Sequence, residues 1–120
     1  MLTRQSSVRK AAIAAGAALS GAIDLREMAG GILKNDGTNW TVADIVFDVC
    51  ETAGGTFTTL EDETGTAVRL SGLAINAAEA RKLPDELFAA HWVKLRSVTA
   101  GSVTSANQTN AQSFSLMLKG

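Results

Sequence analysis

The sequence is short of the residues that most site chemistry needs. Its 120 residues include one cysteine, one histidine, one proline and no tyrosine. One cysteine excludes an intrachain disulfide framework and any multi-cysteine zinc site. One histidine leaves little material for acid–base work near neutral pH. Lysine and arginine total 11 against 12 acidic residues, a formal charge of −1. No basic excess is available to neutralise a nucleic-acid backbone, so nucleic acid is not an expected partner. No apolar run approaches the roughly 18 residues that would cross a bilayer, so a membrane is not expected either. Hydrophobic residues at 46% with near-zero net charge argue against disorder. The length suits one domain with one core.

What is present reads as short extended segments. Between Ala11 and Leu25 the large apolar residues Ile13, Leu19, Ile23 and Leu25 are all odd-numbered. They share one face of an extended chain, with a break near Gly16. The alanine content keeps a helix as the alternative. In Asp44–Cys50, Ile45, Phe47 and Val49 alternate with Asp44 and Asp48, and Val46 is the exception. Gly54-Gly55 marks a turn, and Thr56–Leu60 returns as the hairpin partner. Ala67–Leu70 and Leu73–Ala77 are shorter strand candidates. The stretch Ala77–Phe88, with Pro84, reads as a loop with one helical turn. Trp92–Ser97 places Val93 and Leu95 inward and Lys94 and Arg96 outward. Gly101–Gln112 is small and polar and reads as a surface loop. Gln112–Lys119 sets Phe114, Leu116 and Leu118 against Ser113, Ser115 and Lys119. The expected fold is all-β: an antiparallel, jelly-roll-like sandwich of about eight strands over residues 11–120, preceded by an arm over residues 1–10.

Arg4, Arg9 and Lys10 head a weakly apolar stretch, a shape loosely like a secretory signal. Its middle is mostly alanine and glycine, so the expectation is a chain that matures in the cytoplasm with Cys50 reduced.

Few residues suggest chemistry. His91 has no local nucleophile or orienting carboxylate, so it reads as a loop histidine rather than a base or ligand. Cys50 ends an apolar strand and reads as a small buried hydrophobe, with a nucleophile or intersubunit thiol as the alternative. Glu61-Asp62-Glu63 reads as a solvated turn; calcium would need more oxygens, converging from a loop. Trp40 and Trp92 are core candidates that could instead stack on a sugar ring. Gly30-Gly31 and Gly54-Gly55 lack the lysine and hydroxyl of a phosphate loop. No enzyme activity, metal or cofactor is expected.

One resemblance spans most of the chain from Ser20. It rests on Ser20-Gly21-Ala22-Ile23-Asp24-Leu25, Gly30-Gly31-Ile32-Leu33, Trp40–Val49, Leu87-Phe88-Ala89-Ala90 and Trp92–Ser97. This order resembles small β-sandwich structural proteins of tailed bacteriophages, of the capsid decoration (cement) type. Gly54-Gly55-Thr56 fits their hairpin, whereas Cys50–Ala53 replaces a polar lead-in. The resemblance implies a virion component on the capsid surface that binds the major capsid protein and forms a homo-oligomer, a trimer in the simplest case. A neck or tail position is the neighbouring alternative. The same hairpin resembles discoidin-like and other carbohydrate-binding jelly rolls, which would suit a fibre or spike. Interface candidates are Leu2, Arg4, Arg9, Lys10 and Met28.

Overall fold

A computed structural model describes residues 6–36, 39–41, 43–73 and 79–120. The described chain forms nine strands and one 3-10 turn. The strands are β1 (Ser6–Ile13), β2 (Ile23–Asp24), β3 (Gly30–Asn35), β4 (Asp44–Cys50), β5 (Thr58–Thr59), β6 (Arg69–Leu70), β7 (Glu79–Lys82), β8 (Trp92–Val98) and β9 (Gln112–Lys119). The 3-10 turn covers Asp85–Ala89. A four-stranded sheet in the order β1-β9-β3-β7 packs on a five-stranded sheet in the order β2-β8-β4-β5, with β6 also on β4. All pairings are antiparallel. Most successive strands change sheet, and the order is that of a jelly roll.

The interior follows from two-residue periodicity. Ala11 and Ile13 from β1, Leu33 from β3, and Phe114, Leu116 and Leu118 from β9 face inward from one sheet. Ile45 and Phe47 from β4 and Val93 and Leu95 from β8 face them from the other. Trp40 fills one end, 1% exposed, with its ring edge-on to Phe114 at 5.8 Å between centroids. Its indole N–H donates to the Ala43 carbonyl at 3.3 Å.

The segment after Ile13 is extended, not helical, but its phase slips. Ala18 and Ser20 are buried, Gly21 and Ala22 are both exposed, and Ile23 and Leu25 are buried. Two consecutive outward residues switch the inward set from even to odd numbers. Leu19, expected inside, is therefore 42% exposed. The expected loop before Pro84 contains strand β7, whose main chain completes the edge beside β3. Ala74–Ala77, in an expected strand, lie outside the described residues. Of the expected arm, Ser6–Lys10 are the first half of β1, paired to β9.

The polar segment before β9 is tied down at Gln108, which is fully buried. Its side-chain oxygen accepts from the Thr41 N–H at 2.8 Å, and its nitrogen donates to the Thr41 carbonyl and to Ser97 Oγ at 3.1 and 2.9 Å. Its main chain bonds Gly16 and Ala17. Side chain and main chain together, this one residue joins three connections at one end of the sandwich. Small polar composition correctly indicated a loop but concealed this buried tie.

Gly31 of β3 leaves no room for a side chain against β9. A Cβ there would lie 2.7 Å from Leu118 Cδ2 and 2.7 Å from the Met117 carbonyl oxygen, whereas one at Gly30 would meet nothing within 4 Å. Gly31→Ala is expected to destabilise the fold by about 1–3 kcal/mol, with Gly30→Ala near neutral. Urea unfolding should show the first as a lower midpoint at unchanged slope.

Candidate binding face

The two outward faces of the sandwich differ in kind. On the five-stranded sheet, β4 presents Asp44, Val46, Asp48 and Cys50, and β8 presents Trp92, Lys94, Arg96 and Val98. This face is closed by internal pairing. Arg96 Nε bonds Asp48 Oδ2 at 3.0 Å, and its terminal nitrogens reach the Val103 carbonyl, Ser105 Oγ and Thr59 Oγ1 at 2.6, 3.1 and 2.8 Å. Thr59 Oγ1 donates in turn to Asp48 Oδ1 at 3.0 Å. Arg69 meets Asp44 at 2.9 Å. Val46 lies beneath these pairs with no exposure.

Burial works against ionisation of Asp44, but hydrogen bonds from the Gly101 N–H and the Arg69 guanidinium outweigh it and hold the carboxyl below its usual range. A carboxylate with a depressed folded-state value stabilises the fold fully above its unfolded value, near ~4. That contribution fades as pH falls through the folded value.

On the four-stranded sheet the outward residues include Val8, Ile32 and Met117. The register places Val8 opposite Met117, Met117 opposite Ile32, and Ile32 opposite Lys82. They form one row across four strands, 58%, 39% and 43% exposed for Val8, Met117 and Ile32. A shallow groove of about 840 Å³ runs along this row, floored by the main chain at Gly30 and Gly31, and at Gly30 no side chain fills it. Lysines border it. Lys10 and Lys34 lie 3.7 and 3.3 Å from Asp36, and Lys82 lies 2.8 Å from Asp85. Lys119, on the same face, has no ion pair among the described residues. Scattered exposed apolar residues are ordinary; three in register on one sheet face are a contiguous patch.

The residues expected to bind are dispersed. Lys10 is on the apolar face, its ammonium 2.6 Å from Ser115 Oγ. Arg9 points to the opposite side of β1, beside Asp24, Arg26 and Met28 in a small cleft of about 330 Å³. Met28 is 7% exposed and packs in the core, so it is not surface available to a partner. Leu2 and Arg4 lie outside the described residues. Trp40 is buried and cannot stack on a ligand. Trp92 carries the Arg26 guanidinium over its ring at 5.1 Å, and Arg26 is clamped by both oxygens of Asp24. That clamp holds the Asp24 carboxyl down at about 2.

Cys50, Glu51 and His91 border a cleft of about 360 Å³. The thiol is buried, 3.9 Å from Thr52 Oγ1. The Asp62 carboxylate is engaged by the N–H groups of Thr64 and Thr66, at 2.8 and 3.1 Å, closing its own turn. Among the described residues no three histidine, cysteine, aspartate or glutamate side chains are grouped to hold a metal. Nor is any helix there long and apolar enough to cross a membrane.

The apolar row was not assigned from the sequence, although a signal existed. Met117 and Ile32 are apolar residues out of phase with inward neighbours, and Val8 is apolar among polar residues. Val46 gives the same signal on the face that is covered, so phase alone could not separate a docking residue from a buried one. No family model, curated protein or solved structure matches this chain.

Replacing Asp44 by Asn is expected to cost about 2 kcal/mol at neutral pH. It should also flatten the loss of stability below pH ~4. Urea midpoints measured across the acid range for both forms would test this; equal slopes would remove Asp44 from that role.

Proposed function

We propose that this chain is a non-catalytic structural protein of a tailed-bacteriophage virion, a decoration protein seated on the outer capsid lattice. The observation that carries the reading is the Val8–Met117–Ile32 row, the only one of the two outward sheet faces left uncovered among the described residues. The resemblance in segment order supports the same reading. A rigid sandwich with a flat apolar strip bordered by lysines suits adhesion to a protein surface: the strip supplies burial, and the lysines orient it against carboxylates. Several copies held together would engage equivalent lattice sites, so modest single contacts add by avidity. The major capsid protein is the proposed partner, and the capsid surface the proposed location.

The test is co-sedimentation with undecorated capsids. The native chain should pellet with them. Met117→Glu puts a charge into the middle of the row at a site where folding does not require burial. It should weaken retention at least about tenfold, some 1.4 kcal/mol, with an unchanged thermal midpoint. No co-sedimentation of the native chain would end the decoration reading.

A further inference from the structure

Among the described residues, the four-stranded sheet has an open edge at β1. Main-chain bonds among them outside the strand ladders involve none of residues 6–13. The direction of the free groups follows from alternation in antiparallel pairs. The Asp36 N–H donates to the Ser113 carbonyl. Ser113, Ser115 and Met117 of β9 therefore bond toward β3, and Phe114, Leu116 and Leu118 toward β1. Those three sit opposite Ala11, Arg9 and Ser7. The N–H and C=O groups of Ser6, Val8, Lys10 and Ala12 are left pointing outward from the edge. They belong to the residues whose side chains lie on the apolar face, and Val8, the most exposed large apolar residue of that face, stands at its rim.

We infer that β1 pairs with β1 of a second copy, antiparallel about a two-fold axis through Val8. The charges select this register. An axis at Arg9 or at Lys10 sets like charges directly opposite one another, which is unfavourable. An axis at Ser7 sets Val8 against Ser6, and axes beyond Lys10 leave Val8 without an opposing residue in the strand. At Val8, Lys10 falls opposite Ser6 of the second copy and Arg9 opposite Ser7, so each cation faces a small hydroxyl residue. Val8 meets its own symmetry mate. Three exchanging pairs would form about six main-chain hydrogen bonds.

The consequence is geometric. The two apolar rows join end to end across the axis, Ile32–Met117–Val8 running into Val8–Met117–Ile32 of the second copy, on one continuous eight-stranded sheet. This isologous contact closes on itself, so it yields a dimer and no fibre. The interface is short, so pairing depends on concentration.

Sedimentation equilibrium of the full chain should show the mean mass rising from 12.5 kDa toward twice that value as protein is concentrated. Val8→Lys, a charge on the edge, should return the chain to monomer over the same range. Val8→Cys in a Cys50→Ala background should give a covalent dimer under mild oxidant, since facing Cα atoms of such a pair are about 5.5 Å apart. Lys10→Cys in that background should not, its symmetry mate being out of disulfide reach. A monomer at all concentrations, a trimer, or a dimer indifferent to Val8→Lys would overturn the inference. Capsid co-sedimentation of Met117→Glu reads the docking proposal separately, because Met117 lies one strand away from the paired edge.

Discussion

The register of β9 is the constraint on which the molecule depends. This strand lies between β1 and β3 and supplies Phe114, Leu116 and Leu118 to the interior. Because side chains alternate, a slip of one residue would turn Ser115 and Met117 into the interior and the three large apolar groups out of it. Burying those three side chains is worth several kcal/mol, of the order of 2 each. Both ladders hold the same phase, since β9 is fixed on two sides. The position of Met117 on the outer face is thus a by-product of core formation, and the apolar row exists because Val8 and Ile32 pair with it there.

The fold class was legible because alternation is strong where a strand is half buried. β4, β8 and β9 could be read nearly residue by residue, including the outward Lys94 and Arg96. Legibility failed where the phase broke locally. Gly21 and Ala22 both point outward, and nothing in their identity announces a slip. It failed again where burial came from a loop: Val46 and Gln108 are inside because residues distant in sequence fold over them. β7, Glu-Ala-Arg-Lys, has no apolar alternation; it is a strand because β3 offers it an edge.

The binding face was legible only in fragments. The charged residues Arg9 and Lys10 attracted attention because they are adjacent in sequence, yet successive residues of a strand point to opposite sides. Only Lys10 reaches the apolar face. Met28 stood out as a spare apolar residue, but packing absorbed it. The aromatic residues followed elementary economics of burial: Trp40 became core, and Trp92 was covered by the Arg26–Asp24 clamp. The contrast between the two outward faces cannot be reached from sequence, because it depends on which loop crosses which sheet. The segment around Val103 and Ser105 covers one; among the described residues nothing covers the other.

The placement of β9 also governs when the fold can form. The strand that cements β1 to β3 follows β1 by almost the whole chain, so during translation the first strand must wait for its neighbour. Until then Ile13 and Leu33 have no sheet to enclose them, and the emerging polypeptide carries two unsatisfied edges. Assembly is therefore a late, all-or-none event with pairings far apart in sequence, a topology that folds slowly and offers its intermediates to wrong partners.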